Sequence, residues 1–124
     1  MMFAYPGFAM GVIFAVIKLF PSAKQQAQTI EILRSVQDLT RPCPGCMGCW
    51  VSEEDFSQPH IRYIEQWQSE ETLQEHIQSD LYRRVLATME LSRRRPEVIY
   101  YFTAEERGFD LIEAVRPPGT NQTH

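Results

Sequence analysis

The segment Glu65–Tyr82 gathers a carboxylate, an indole, an imidazole and a phenol (Glu65, Trp67, His76 and Tyr82). An imidazole titrates near neutral pH and can take the proton of an acidic hydroxyl. A carboxylate beside it can fix its tautomer, or bind a second hydroxyl. Aromatic rings stack on a flat substrate and orient it at low entropic cost. A phenol can donate a hydrogen bond to a developing oxyanion. This set suits a site for an aromatic, redox-active small molecule. His76, Glu65 and Tyr82 are the candidate catalytic residues, and Trp67, Tyr63 and Met89 the candidate substrate contacts. A buried carboxylate costs several kcal/mol unless it is paired or protonated. Glu65 is therefore expected at a rim, paired with Arg62 or Arg83, or in a functional role.

These groups can meet only if the chain folds suitably. Residues 60–67 alternate as a strand, with Ile61, Tyr63, Glu65 and Trp67 on one face and Ile64 on the other. Ser69 is placed to cap a following helix, and Glu70 and Glu71 suit its first turn. His76 lies three residues after Leu73, on the same side of that helix. A second helical segment is expected over 81–92, with Leu81, Val85, Met89 and Leu86 inward, stopped by Pro96. Upstream, Val12–Leu19 reads as a strand apolar on both faces. Ser22 opens a helix with Gln25 at the capping-box position, and Ala23, Ala27, Ile30, Leu33 and Val36 form its buried stripe. Strands are expected over 46–52 and 98–103, with a polar turn over 53–59 and an extended arm over 109–116. The order strand–helix–strand–strand–helix–strand specifies an α+β fold of ferredoxin-like type, a four-stranded antiparallel sheet with helices on one face. The apolar residues left on the other face call for a cover, which a second copy would supply by an isologous contact.

The chain has 124 residues, with 44% hydrophobic and 23% charged residues, which is enough for one domain. Its expected extent is 11–116, with an N-terminal extension over 1–10 and a disordered tail over 117–124. The formal net charge of −4 speaks against a nucleic-acid partner. The basic run Arg93–Arg95 sits where a helix should end, which suits the macrodipole. Residues 1–17 lack charge, but Pro6, Gly7 and Gly11 interrupt the run and Lys18 closes it. That argues against a membrane span, and no basic start or cleavage site marks a secretory signal. Met10 is a second candidate start, and a cytoplasmic location is expected.

Cys43, Cys46 and Cys49 are spaced C-x2-C-x2-C. There is no fourth cysteine to complete an iron–sulfur set. On a regular strand, Cys46 and Cys49 would point to opposite faces and could not share a metal. A structural role is favoured over zinc binding, for which His60 would be the extra ligand, or redox use. No phosphate loop, dinucleotide fingerprint, Gly-x-Ser-x-Gly or His-Glu-x-x-His is present. No metal and no cofactor is expected.

Pro44-Gly45-Cys46, Glu65-x-Trp67, Ser69-Glu70-Glu71, His76, Ser79 and Leu81-Tyr82 together resemble the antibiotic biosynthesis monooxygenase (ABM) domain family, its small quinol-monooxygenase-like members above all. Met89-Glu90-Leu91-Ser92, Pro96-Glu97, Gly108 and Leu111-Ile112-Glu113 to Arg116 extend the similarity. The resemblance implies a homodimeric α/β barrel with a pocket between sheet and helices in each subunit. It also implies O2-dependent oxidation of a phenolic or quinol substrate without metal or flavin, although some members have no known activity. A haem-degrading branch uses an Asn on strand one, a Trp after strand three and a later His. Here strand one has no Asn, His76 falls at the Trp position and Leu86 at the His position, so haem degradation is not expected. The rival reading is a non-catalytic binding protein that sequesters an apolar or aromatic metabolite in the same pocket.

Overall fold

The computed structural model describes residues 11–55, 58–105 and 107–116. The expected extension (1–10) and tail (117–124) lie outside the described residues. Four strands form one antiparallel sheet: β1 (Ile13–Leu19), β2 (Cys46–Glu54), β3 (His60–Trp67) and β4 (Glu97–Phe102), in the order β2-β3-β1-β4. A short 3-10 turn (Ala23–Gln25) leads into α1 (Gln26–Thr40); α2 (Glu70–Ile77) and α3 (Tyr82–Glu90) follow β3. The fold is α+β, with the expected strand–helix–strand–strand–helix–strand order.

Strict alternation sets the two faces of the sheet. On β1, Ile13, Ala15, Ile17 and Leu19 are buried, and Phe14, Val16 and Lys18 are half-buried on the far side. The first strand is thus buried on one face only. On β3, Ile61, Tyr63, Glu65 and Trp67 turn to the buried face. Below them lies the main core, in which Ile17, Leu19 and Ile61 meet Leu33 and Val36 of α1 and Val85 of α3. The opposite face is open and carries cross-strand rows. One is Trp50–Ile64–Val16–Ile99, and the next brings Gln66, Phe14 and Tyr101 together.

Several elements depart from expectation. Ser22 makes no side-chain capping bond, and the chain enters α1 through the 3-10 turn. Ala23 and Ala27 are exposed, and the buried stripe of α1 is Thr29, Leu33, Val36 and Thr40. Thr29 can be buried because its hydroxyl donates to the Gln25 carbonyl at 2.8 Å. On α3 the buried residues are Tyr82, Val85 and Thr88, and Leu86 is exposed. The stretch expected as an extended arm is a helix, α4 (Phe109–Val115). At its start the Asp110 carboxylate accepts from Gly108 N–H at 2.8 Å and from Arg107 Nε at 2.5 Å. These bonds, Arg107 first, hold the Asp110 carboxyl below its ordinary value. The strand expected to stop at Ser52 runs on to Glu54, through part of the expected polar turn.

The largest correction concerns β2. A bulge falls between Cys46 and Gly48, so Cys46 pairs with Trp67 and Cys49 with Glu65. The extra residue, Met47, cancels one step of alternation. Cys46 and Cys49 therefore share the buried face instead of pointing apart. No helix among the described residues is long and apolar enough to cross a membrane.

Candidate active site

β3 ends in Trp67, and Ser69 starts α2 two residues later. The Ser69 hydroxyl accepts from Thr72 N–H at 3.2 Å, which fixes the rotation of α2 about its axis. Glu70 and Glu71 occupy the first turn, as expected. With that rotation set, Leu73 and His76 both face the sheet, and both are buried.

Glu65 lies at the centre, 1% exposed. Its Oε2 accepts from the Tyr63 hydroxyl at 2.5 Å and lies 2.8 Å from His76 Nε2. Its Oε1 accepts from Trp67 Nε1 at 2.8 Å. Three hydrogen-bonding partners compensate the carboxylate for lost water. A carboxylate only accepts, so Nε2 carries the proton and a neutral His76 ring keeps its lone pair on Nδ1. Nδ1 has no hydrogen-bond partner among the described residues. Neither Arg62 nor Arg83 pairs with Glu65. Arg62 is on the open face, and Arg83 pairs with Asp80 at 3.6 Å.

The His76 ring stacks at a tilt on Trp67, with centroids 4.8 Å apart, and meets the Tyr82 ring edge-on at 5.2 Å. Behind Glu65, Cys49 Sγ donates to the Tyr63 hydroxyl at 3.3 Å. Burial is the main cause that pushes the Cys49 thiol up to about 12 and raises Tyr63 well above the ordinary phenol value, with the Glu65 charge adding to both. Tyr82 is raised too, by burial first and then by its partner Tyr100 on β4.

A cavity of about 190 Å³ opens beside this network, lined by Cys43, Pro44, Trp67, Thr72, Glu75, His76, Ser79 and Leu81. Of the six residues singled out from sequence, Trp67 and His76 reach it. Glu65 and Tyr63 stand one layer behind. Tyr82 braces His76 but partners Tyr100. Met89 packs on the main core, away from the cavity. Pro44, Thr72, Glu75, Ser79 and Leu81 were not singled out as pocket residues, because they line it from a turn and from helix positions with no periodicity of their own. A wider hollow of about 530 Å³, lined by Phe20, Gln26, Gln58, Arg93 and Arg94 among others, contains none of the six. No cluster of three or more His, Cys, Asp or Glu suited to a metal occurs among the described residues.

The family model for antibiotic biosynthesis monooxygenase matches residues 12–88, more than half of the chain. Solved structures repeat the fold. A conserved protein from Methanosarcina mazei Go1 superposes with TM-score 0.69 at 21% identity, covering 79% of this chain and 96% of that one. Rv0793 from Mycobacterium tuberculosis gives 0.69 at 19%, covering 78% and 99%. A candidate antibiotic biosynthesis monooxygenase from Deinococcus radiodurans gives 0.67 at 24%, covering 77% and 96%. No curated protein matches the sequence.

Proposed function

Because the chain belongs to the antibiotic biosynthesis monooxygenase family, we propose that it is a cofactor-independent monooxygenase or quinol oxidase. Its substrate is a phenolic or quinol-type aromatic small molecule, and its oxidant is O2. The observation that carries this reading is the Glu65–His76 contact of 2.8 Å at the wall of a cavity. Glu65 keeps the Nε2 proton in place and leaves Nδ1 as the base toward the substrate. The cavity is smaller than the roughly 300–1,000 Å³ of drug-sized sites, which suits a molecule of one or two rings. Pro44, Leu81 and the Trp67 ring supply apolar walls.

The substrate hydroxyl gives its proton to His76, and the resulting anion passes electrons to O2. In the oxidase outcome, a quinol loses two electrons and two protons, and O2 becomes hydrogen peroxide. In the oxygenase outcome, a ring CH2 becomes C=O, with one oxygen atom retained and the other released as water. The protein contributes deprotonation, orientation and exclusion of water. Tyr63 holds Glu65 from behind, and Tyr82 props the imidazole.

Two copies meet through the open sheet face in this reading. Its support is the continuous row Trp50–Ile64–Val16–Ile99, which is too apolar to face water alone. A clean monomer near 14.5 kDa by light scattering would remove the dimer. The three free thiols fit a reducing compartment, and we assign the protein to the cytoplasm.

The test is O2 uptake with a reduced naphthoquinone, corrected for autoxidation with superoxide dismutase and a protein-free control. Saturable uptake that falls by about 10²–10⁴ in His76→Ala is expected. Background-level uptake together with saturable quenching of Trp67 would instead indicate the binding protein.

A further inference from the structure

The oxidation above leaves Cys43-Pro44-Gly45-Cys46 without a role. Its backbone closes a type II β-turn. Cys46 N–H donates to the Cys43 carbonyl at 3.0 Å, Pro44 takes the first central position, and Gly45 takes the second with φ +85°. Such a turn keeps its end Cα atoms within about 7 Å, and a disulfide spans Cα atoms about 4.4–6.8 Å apart. Both cysteine side chains pack against the same small cluster of Ile13, Trp67 and Leu73. The turn is anchored, because Gln68 N–H donates to the Gly45 carbonyl at 2.8 Å. Neither thiol is committed elsewhere by a strong bond. Cys43 donates to the Leu39 carbonyl at 3.5 Å and Cys46 to the Gly48 carbonyl at 3.5 Å, both weak S–H contacts. Neither weak contact opposes rotation of the two side chains toward each other.

We propose that Cys43 and Cys46 form a reversible dithiol–disulfide pair in the cavity wall, oxidised by a small-molecule disulfide. Cys43 is half-buried and lines the cavity, so it is the thiol that meets the oxidant. Its thiolate attacks one sulfur of the oxidant, the S–S bond breaks, and one small thiolate leaves and takes up a proton. Cys46 then attacks the Cys43 sulfur of the mixed disulfide and expels the second small thiol. In sum, the protein loses two electrons and two protons, and one small disulfide becomes two thiols.

The fold assigns the roles within the cysteine triplet. The turn leads into β2 rather than a helix, so no macrodipole favours the Cys46 thiolate, and burial raises that thiol. Cys46 is therefore the resolving partner. Cys49 is fully buried, bonded to Tyr63, and pushed up to about 12 by burial, so it stays a thiol. Closing the bridge swings Cys43 away from Leu39 and alters the wall beside Trp67. None of this depends on the proposed oxidation of a quinol.

The experiment equilibrates the reduced full chain with oxidised glutathione, blocks the remaining thiols with iodoacetamide and maps the peptides by mass spectrometry. Wild type and Cys49→Ser are expected to lose two thiols together to a Cys43–Cys46 bridge that dithiothreitol reverses. Cys46→Ser should stop at a glutathione adduct on Cys43. In a Trp50→Phe background, bridge formation should shift the emission of Trp67. A bridge to Cys49, a bridge between chains, an adduct on wild-type Cys43 that does not resolve, or thiols untouched by excess oxidant would each overturn the proposal.

Discussion

Replacing Glu65 with glutamine changes one oxygen to an amide nitrogen and tests the whole network. Trp67 Nε1–H is a donor only, 2.8 Å from Oε1, so the glutamine must present its carbonyl there. The amide NH2 then occupies the Oε2 position, facing the Tyr63 hydroxyl and His76 Nε2. The hydroxyl can turn its hydrogen away and accept. His76 can accept only if its proton moves to Nδ1. The variant is therefore expected to fold with the opposite tautomer and without a base toward the cavity. Hydrogen bonds to a charged group contribute about 1.5–3 kcal/mol and neutral ones about 0.5–1.5. Three such exchanges would lose about 3 kcal/mol, offset in part because no charge is then buried. A net loss of about 1–3 kcal/mol in urea unfolding is expected. Glu65→Ala should lose more, because three buried groups would be left unpaired at about 1–3 kcal/mol each. Long-range 15N–1H correlation spectra of His76 report the tautomer directly. Quinol-dependent O2 uptake should fall by about 10²–10⁴, as for removal of the base itself. A glutamine variant that keeps the Nε2–H tautomer, or oxidises quinol at the wild-type rate, would refute the reasoning.

Gly45→Ala is expected to destabilise by at least about 1–3 kcal/mol, since φ is +85° and a Cβ would sit 2.5 Å from Thr72 Cβ. Chemical denaturation measures it, and an unchanged midpoint would contradict the turn geometry. Cys49, Tyr63 and Tyr82 all have folded values raised above their unfolded ones. Their contribution is complete below the unfolded values and is lost as pH rises. For Cys49 the window runs from 9.0 to about 12. Stability should fall there by about 1.4 kcal/mol per pH unit for each group ionised in the unfolded chain, and Cys49→Ala should flatten that slope in pH-dependent urea titrations. Val16→Glu places a charge in the middle of the open face, and light scattering should then show single chains that keep native circular dichroism.

The β3 half of the site was legible because period two is unambiguous in Ile61–Trp67. Tyr63, Glu65 and Trp67 had to share a face, and Ser69 followed by Glu70 and Glu71 marked the start of α2. That these groups join through Glu65 was not legible. Spacing puts side chains on a face but does not say which atoms touch. The cysteine geometry was misread for a definite reason. One bulged residue, Met47, inverts the parity of every side chain before it, and only the ladder to Trp67 and Glu65 reveals it. Thr29 and Thr40 took the inward places expected for Ala23 and Ala27. The Thr29 hydroxyl bonds the Gln25 carbonyl and so can be buried, which hydropathy alone does not register, whereas the buried Thr40 hydroxyl has no partner among the described residues. In place of the expected extended arm stands α4. Its first turn is secured by the side chain of Asp110, a local bond that propensity does not count.

The alternation of β3 has one more consequence. Tyr63, Glu65 and Trp67 face the chemistry, while Ile64 and Gln66, interleaved with them, face the open side. A single inserted residue near the start of this strand would exchange the two sets, placing the carboxylate outside and Ile64 within. One short stretch of chain thus carries two messages in the same reading frame. Substitutions can revise either message alone, but a change of length garbles both at once. Length variation among chains of this design should fall on the loop between β2 and β3 and spare His60–Trp67.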